Sequence, residues 1–217
     1  MLKAATETLR MSITDNSVLR GPRVRRYGRI SMILHWLIAG LILTQIGLGW
    51  YMNEVLPDHS KAQAAIETLH ISLGLTTLIS VALLIALRIT HPAPPMPAGL
   101  ALWERATAWL SHLLFYLLML ALPLTGWAMV SVRSAPIRFW GLDWPRLPYL
   151  SFLMGPDNRP LRHTLQQVHT DILVWIILAN LALHVLGALK HQFDGHPVLW
   201  RMLPFGKPKT PQTAVNG

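Results

Sequence analysis

The chain contains no cysteine. That one absence excludes disulfides, iron–sulfur clusters held by thiolates, and covalent haem attachment through a CxxCH motif. Charge is scarce as well: 13% of the 217 residues are Asp, Glu, Lys or Arg, against 52% apolar. No ordinary soluble domain of this length has that balance, so the membrane class comes first. Familiar catalytic motifs are missing too. HExxH, a GxSxG elbow and a Walker loop are all absent, which removes support for common hydrolase and nucleotide chemistries.

What the chain does have is long apolar runs. Residues 30–53, 68–87, 106–132 and 172–189 carry no charged side chain, and each is near or above the roughly 20 residues that cross a hydrocarbon core. Backbone groups in lipid must be satisfied within the segment, so each run reads as a helix. The predicted fold class is an all-α integral membrane protein, a four-transmembrane-helix bundle with spans at about 30–53, 66–89, 106–132 and 166–190. These lie in one membrane domain, 28–205, between tails at 1–27 and 206–217. The first run starts too deep in the chain, and is too long, for a cleavable signal peptide, and it is expected to be retained.

Basic residues set the expected orientation, because Lys and Arg accumulate beside the cytoplasmic ends of spans. Arg20, Arg23, Arg25, Arg26 and Arg29 precede the first span, Arg88 and Arg105 flank the second connection, and Lys190, Arg201, Lys207 and Lys209 follow the fourth. All fall on one side, which predicts that both termini are cytoplasmic. On the other side Lys61, Arg133, Arg138, Arg146, Arg159 and Arg162 are almost matched by acids. The formal net charge of +9 is thereby explained by orientation and anionic lipid rather than nucleic acid. The long outer connection, 133–162, holds Trp140, Trp144 and Tyr149 among several prolines, and its rings suit a cap at the headgroup level.

The histidines sort by depth. Alternate spans run in opposite directions, so His35 and His184 each lie about one and a half turns from the cytoplasmic end of their span, while His70 and His169 both lie near the outer ends. Each couple can meet. Along the fourth span His169 and His184 are 15 residues apart, roughly 22 Å in rise and only about 60° in rotation for a regular α-helix, so one helix serves both pairs. Two imidazoles on opposite sides of a flat macrocycle, within apolar walls, are what a b-type haem requires. Small residues one turn on, Ala39 after His35, Gly74 after His70 and Gly187 after His184, would let such a ring approach. With both axial positions filled, the iron passes electrons and does not bind oxygen.

Other readings stay open on the residues alone. Histidines within spans also build proton paths, transition-metal transporters and structural hydrogen bonds. His112 sits near the inner depth of the third span. It is a candidate to replace His35 or His184, to bond a haem propionate or to support the inner pair.

In its longer stretches the chain resembles the bacterial cytochrome b561 family of di-haem inner-membrane cytochromes. The resemblance is carried by "SMILHWLIAG" around His35, "IETLHISLGLTTLI" around His70, "SHLLFYLLMLALPLTGW" from Ser111 and "QQVHTDILVWIILANLALHVLGALKHQF" from Gln166, in order over residues 27–205. It implies two noncovalent b haems with axial, metal-binding ligands at His35, His70, His169 and His184, and a His112 that is not a ligand. It also implies electron transfer between membrane ubiquinone and a small outer-face partner. Members similar to this chain are associated with superoxide oxidation at the periplasmic face. Arg88, Arg105, Arg162 and Lys61 are candidate propionate partners. The alternatives are the membrane cytochrome b subunit of a larger respiratory complex, and a haem-free histidine-lined transporter or proton channel.

Overall fold

The computed structural model describes residues 26–96, 99–148, 150, 158–194 and 198–203. The tail at 1–25, Tyr149, His196 and the segment from 204 onward lie outside the described residues. Among the described residues four helices are long and apolar enough to cross a bilayer: α1 (Arg29–Val55), α2 (Lys61–Thr90), α3 (Leu102–Ser131) and α4 (Arg159–Phe193).

Local chemistry sets their ends. The α1 helix stops at Leu56, whose extended backbone is what the following Pro57 demands. Ser60 caps α2 by accepting from the Gln63 N–H at 3.0 Å, while the Gln63 side chain accepts from His59 N at 2.8 Å. Glu104 reaches back to the Ala101 N–H at 3.0 Å to start α3, and Asn158 accepts from Leu161 N at 3.0 Å to start α4. Each bond satisfies an N–H that a helix start would otherwise leave unpaired.

Two stretches are wider than an α-helix. Tyr51–Val55 closes α1 as a π turn, and Gln167–Leu173 forms a π-helical segment inside α4. The second contains His169, so the rotation between His169 and His184 departs from that of a regular α-helix. A π turn absorbs an extra residue, and such turns recur where a side chain must be re-aimed.

The bundle is packed in chain order, α1 on α2, α2 on α3 and α3 on α4. Among the described residues α4 makes no comparable set of backbone contacts with α1 or α2. The best-buried cluster joins α1, α2 and α3 through Ile38, Val81, Leu84 and Met119. Small hydroxyl residues sit at the helix contacts, with Ser72, Thr77, Ser80 and Ser111 all buried, which permits close approach without a bulky side chain. Outward-facing positions carry the opposite composition. Leu43, Ile89, Trp175 and Leu186 are more than half exposed, as lipid-facing side chains are.

The connection between α3 and α4 has structure of its own. It forms a two-stranded antiparallel hairpin, β1 (Ile137–Phe139) and β2 (Leu142–Trp144), in which Ile137 pairs with Trp144 and Arg138 with Asp143. Trp140 and Gly141 at the turn both have positive φ, 51° and 88°, as a two-residue primed turn needs. A bulky residue there is unusual, and its contacts account for it. Trp140 N donates to Ser72 Oγ at 3.2 Å and its indole Nε1 donates to Thr76 Oγ1 at 3.1 Å. Arg133 is ion-paired with Glu67, so the hairpin lies along α2 from Glu67 to Thr76, about 13 Å of helix axis.

Candidate functional site

Three of the four helices bring histidines of the spans into two pairs. The His35 ring on α1 and the His184 ring on α4 have centroids 6.4 Å apart and planes inclined at 51°. His70 on α2 and His169 on α4 are 6.3 Å apart at 73°. The α4 helix stands off from α1 and α2, and the two histidine couples face each other across that gap.

The spacing is itself informative. An imidazole nitrogen binds a metal at about 2.0–2.1 Å, and the ring centre lies roughly 1 Å behind that nitrogen, so two imidazoles on one ion have centres about 6 Å apart. Both pairs fit this requirement. His112 also approaches His184, at 5.3 Å and 89°, an edge-to-face packing closer than two imidazoles on opposite sides of one ion would stand. Its Nδ1 lies 2.6 Å from the Ala108 carbonyl oxygen, a bond that turns the ring toward its own helix. Phe115 packs on His184 in the same edge-on manner at 5.3 Å, and Trp36 on His35 at 5.4 Å.

Around the outer pair the polar contacts are specific. Thr125 Oγ1 lies 3.0 Å from His169 Nδ1. Next to it, a Cβ on Gly126 would come within 3.3 Å of His169 Cε1, so this glycine makes room for the ring. Gly49 does less: a Cβ there would meet His70 Cε1 at an ordinary 3.6 Å. The buried Nδ1 of His70 has no hydrogen-bond partner among the described residues. A buried ring nitrogen left without a hydrogen bond is costly.

One expectation about room for a macrocycle needs correction. Gly74 does not open space beside His70, because a Cβ at that position would fall 2.9 Å from the Gln45 side-chain nitrogen. Gln45 uses the missing side chain to donate from Nε2 to the His70 carbonyl at 3.0 Å. Gly187 does face open space. Gln45, Gly49, Thr125 and Gly126 were not picked out from the sequence. The "PLTGW" run around Thr125 and Gly126 was visible, but nothing in the order of residues says that it faces the fourth helix.

Charged residues gather at the two ends of the bundle. At the end that holds Tyr27, the ring has Arg88 4.6 Å from its centre and Arg201 at 5.8 Å. The turn at Leu199–Arg201 folds against the start of α1: Tyr27 N donates to the Arg201 carbonyl at 3.3 Å and Trp36 Nε1 to that of Met202 at 2.9 Å. Glu104, His191 and Asp194 place ligand atoms within 4.8 Å of one another, but Lys190 Nζ sits 2.7 Å from both carboxylates. Its ammonium makes the group an ion-pair knot. Among the propionate candidates Arg88 is half-buried, whereas Lys61, Arg105 and Arg162 are exposed. At the opposite end Arg133 pairs with Glu67 and Arg138 with Asp143. Those two cations are therefore neutralised, and they give a small anion little net attraction.

Comparison with known proteins gives a consistent result. The profile of the prokaryotic cytochrome b561 family matches residues 26–205. A protein of Yersinia pestis named probable superoxide oxidase CybB is 26% identical over 83% of this chain and 97% of its own length. Cytochrome b561 homolog 2 of Escherichia coli (strain K12) is 29% identical over 82% of this chain and 91% of its own, and homolog 1 is 25% identical over 83% and 98%.

Proposed function

Because the chain belongs to the prokaryotic cytochrome b561 family, a family of membrane b-type cytochromes, we propose that it holds two haems, one between His35 and His184 and one between His70 and His169. The observation that carries this reading is the repeated geometry: two ring pairs on different helices, at 6.4 and 6.3 Å, where no other described histidine pair has that spacing. Bound there, each haem supplies one-electron redox chemistry at an iron whose axial positions are both taken by imidazole. The chain's own residues do the holding. The α1 and α2 helices present one ligand each, α4 presents two, and α3 supplies Phe115, Thr125 and Gly126 behind the α4 ligands.

The reaction proposed for this arrangement connects a small outer-face substrate with membrane ubiquinone. Superoxide is the candidate, supported by the name of the Yersinia pestis relative. Two superoxide anions each give up one electron and become dioxygen, and ubiquinone takes both electrons with two protons to become ubiquinol. In this reading both termini are cytoplasmic, supported by the arginines and lysines of the inner end.

A pyridine haemochrome assay on purified protein, with reduced-minus-oxidised spectra, tests the reading directly. The expected result is two noncovalent b haems in the wild type, with His70→Ala and His184→Ala each disturbing a different one. A single haem in the wild type, or two that respond together to both substitutions, contradicts the pairing. Ubiquinone reduction dependent on a superoxide source then tests the substrate separately.

A further inference from the structure

We infer that Thr125 is the positioning residue for the outer haem, fixing the proton of His169 on Nδ1 and presenting its other nitrogen to iron. This rests on the reading that His169 is a haem ligand. The argument begins with where the Thr125 hydroxyl proton goes. Thr125 Oγ1 lies 2.8 Å from the Ala121 carbonyl oxygen and 2.9 Å from that of Leu122. Carbonyl oxygens only accept, so the single hydroxyl hydrogen is committed to the α3 backbone. The hydroxyl oxygen then faces His169 Nδ1 at 3.0 Å with lone pairs only, and the bond forms when His169 Nδ1 donates, with the Leu122 carbonyl as a second acceptor beside it.

That assignment fixes the tautomer. With the hydrogen on Nδ1, the lone pair of the neutral imidazole is on Nε2, the atom free to bind a metal. An acceptor behind the ring also makes the imidazole a stronger electron donor and holds its plane. Gly126 adds the steric half of the same arrangement, since the ring passes where its Cβ would stand. Two adjacent residues of α3 thus orient His169, one by accepting a proton bond and one by leaving space.

None of the other three rings has this support. Among the described residues His70 Nδ1 is buried without a partner, and neither His35 nor His184 has a hydrogen bond, ring contacts being their neighbours. The π segment Gln167–Leu173 belongs with this asymmetry, because it places the one anchored histidine. Greater donation from His169 stabilises the oxidised iron, so Thr125 holds the outer haem at a lower potential than the same site would have without it.

The test compares wild type with T125V and T125S as full-length protein in detergent. Redox titration followed in the visible spectrum, ferric EPR g values and haem-binding titrations are the readouts. T125V is expected to raise one of the two midpoint potentials while the other stays fixed, to move the EPR signal of that haem, and to weaken haem binding at that site by at least about tenfold. T125S, which keeps the hydroxyl, is expected to restore all three. The unshifted inner haem reports an intact bundle. If T125V loses both haems, T125A removes the hydroxyl without the added methyl and carries the same comparison. A wild type lacking two haems overturns the ligand reading itself. A two-haem wild type whose hydroxyl-free variants match it in potential, EPR and affinity overturns the role of Thr125 alone.

Discussion

Ser111 on α3 and Asn180 on α4 are joined by two hydrogen bonds: Ser111 Oγ donates to Asn180 Oδ1 at 2.9 Å, and Asn180 Nδ2 donates to the Ser111 carbonyl at 3.1 Å. Both side chains are buried, and the bonds lie between the depths of His169 and His184 on α4. They set the vertical register of the helix that carries two proposed ligands. Asn180→Leu is expected to lower stability by about 1–2 kcal/mol, the upper range for interhelical bonds in membranes, while leaving both histidine pairs in place. Thermal denaturation in detergent with haem content as a second readout checks this. A variant as stable as wild type would show that packing alone fixes the register.

Two glycines make a matched pair of tests. Gly126→Ala places a methyl 3.3 Å from His169 Cε1, whereas Gly49→Ala places one 3.6 Å from His70 Cε1. The first contact forces the ring to move and the second is ordinary packing. We expect Gly126→Ala to broaden or shift the spectrum of the outer haem and to weaken its binding roughly tenfold. Gly49→Ala should bind haem like wild type. Haem titration of the two variants side by side decides the point, and equal behaviour would remove Gly126 from the site.

His112 provides the third. Its ring is exposed, bonded through Nδ1 to its own helix and edge-on to His184. His112→Ala should therefore retain both proposed haems in the haemochrome assay, with at most a change in the potential of the one at His184. Loss of one haem would reassign His112 as the inner ligand.

The depth of each histidine was readable from the sequence, because rise per residue is nearly constant along any helix. Pairing by depth associates His35 with His184 and His70 with His169, and these are the rings that the structure brings face to face. Rotation was less readable. The π segment around His169 has no residue signature, and it alters the angle that a regular helix would give. The role of Gly74 went astray for the same reason: a small residue one turn from a histidine can face the cofactor gap or a neighbouring helix, and here Gln45 fills the space. Thr125 and Gly126 escaped notice because their importance lies in a contact with a helix more than forty residues later. The hairpin was hidden by Trp140, since a tryptophan at a positive-φ turn position is not a turn signal. Its cause is the pair of acceptors on α2, which become visible only when the two segments are docked.

Those acceptors bear on the order in which the protein is made. Thr68, Ser72 and Thr76 lie at intervals of four along α2, and each donates its hydroxyl hydrogen to its own helix, to the carbonyls of Ala64, Thr68 and Ser72 at 2.9, 3.0 and 2.8 Å. They enter the bilayer already satisfied as donors. What Ser72 and Thr76 keep in reserve are lone pairs, and the two groups that later use them, the backbone and indole N–H of Trp140, are synthesised more than sixty residues afterwards. During biogenesis α2 is therefore a complete membrane helix before the hairpin exists. The outer connection arrives as a late fastening, able to dock only after α3 has delivered it to the same side of the membrane.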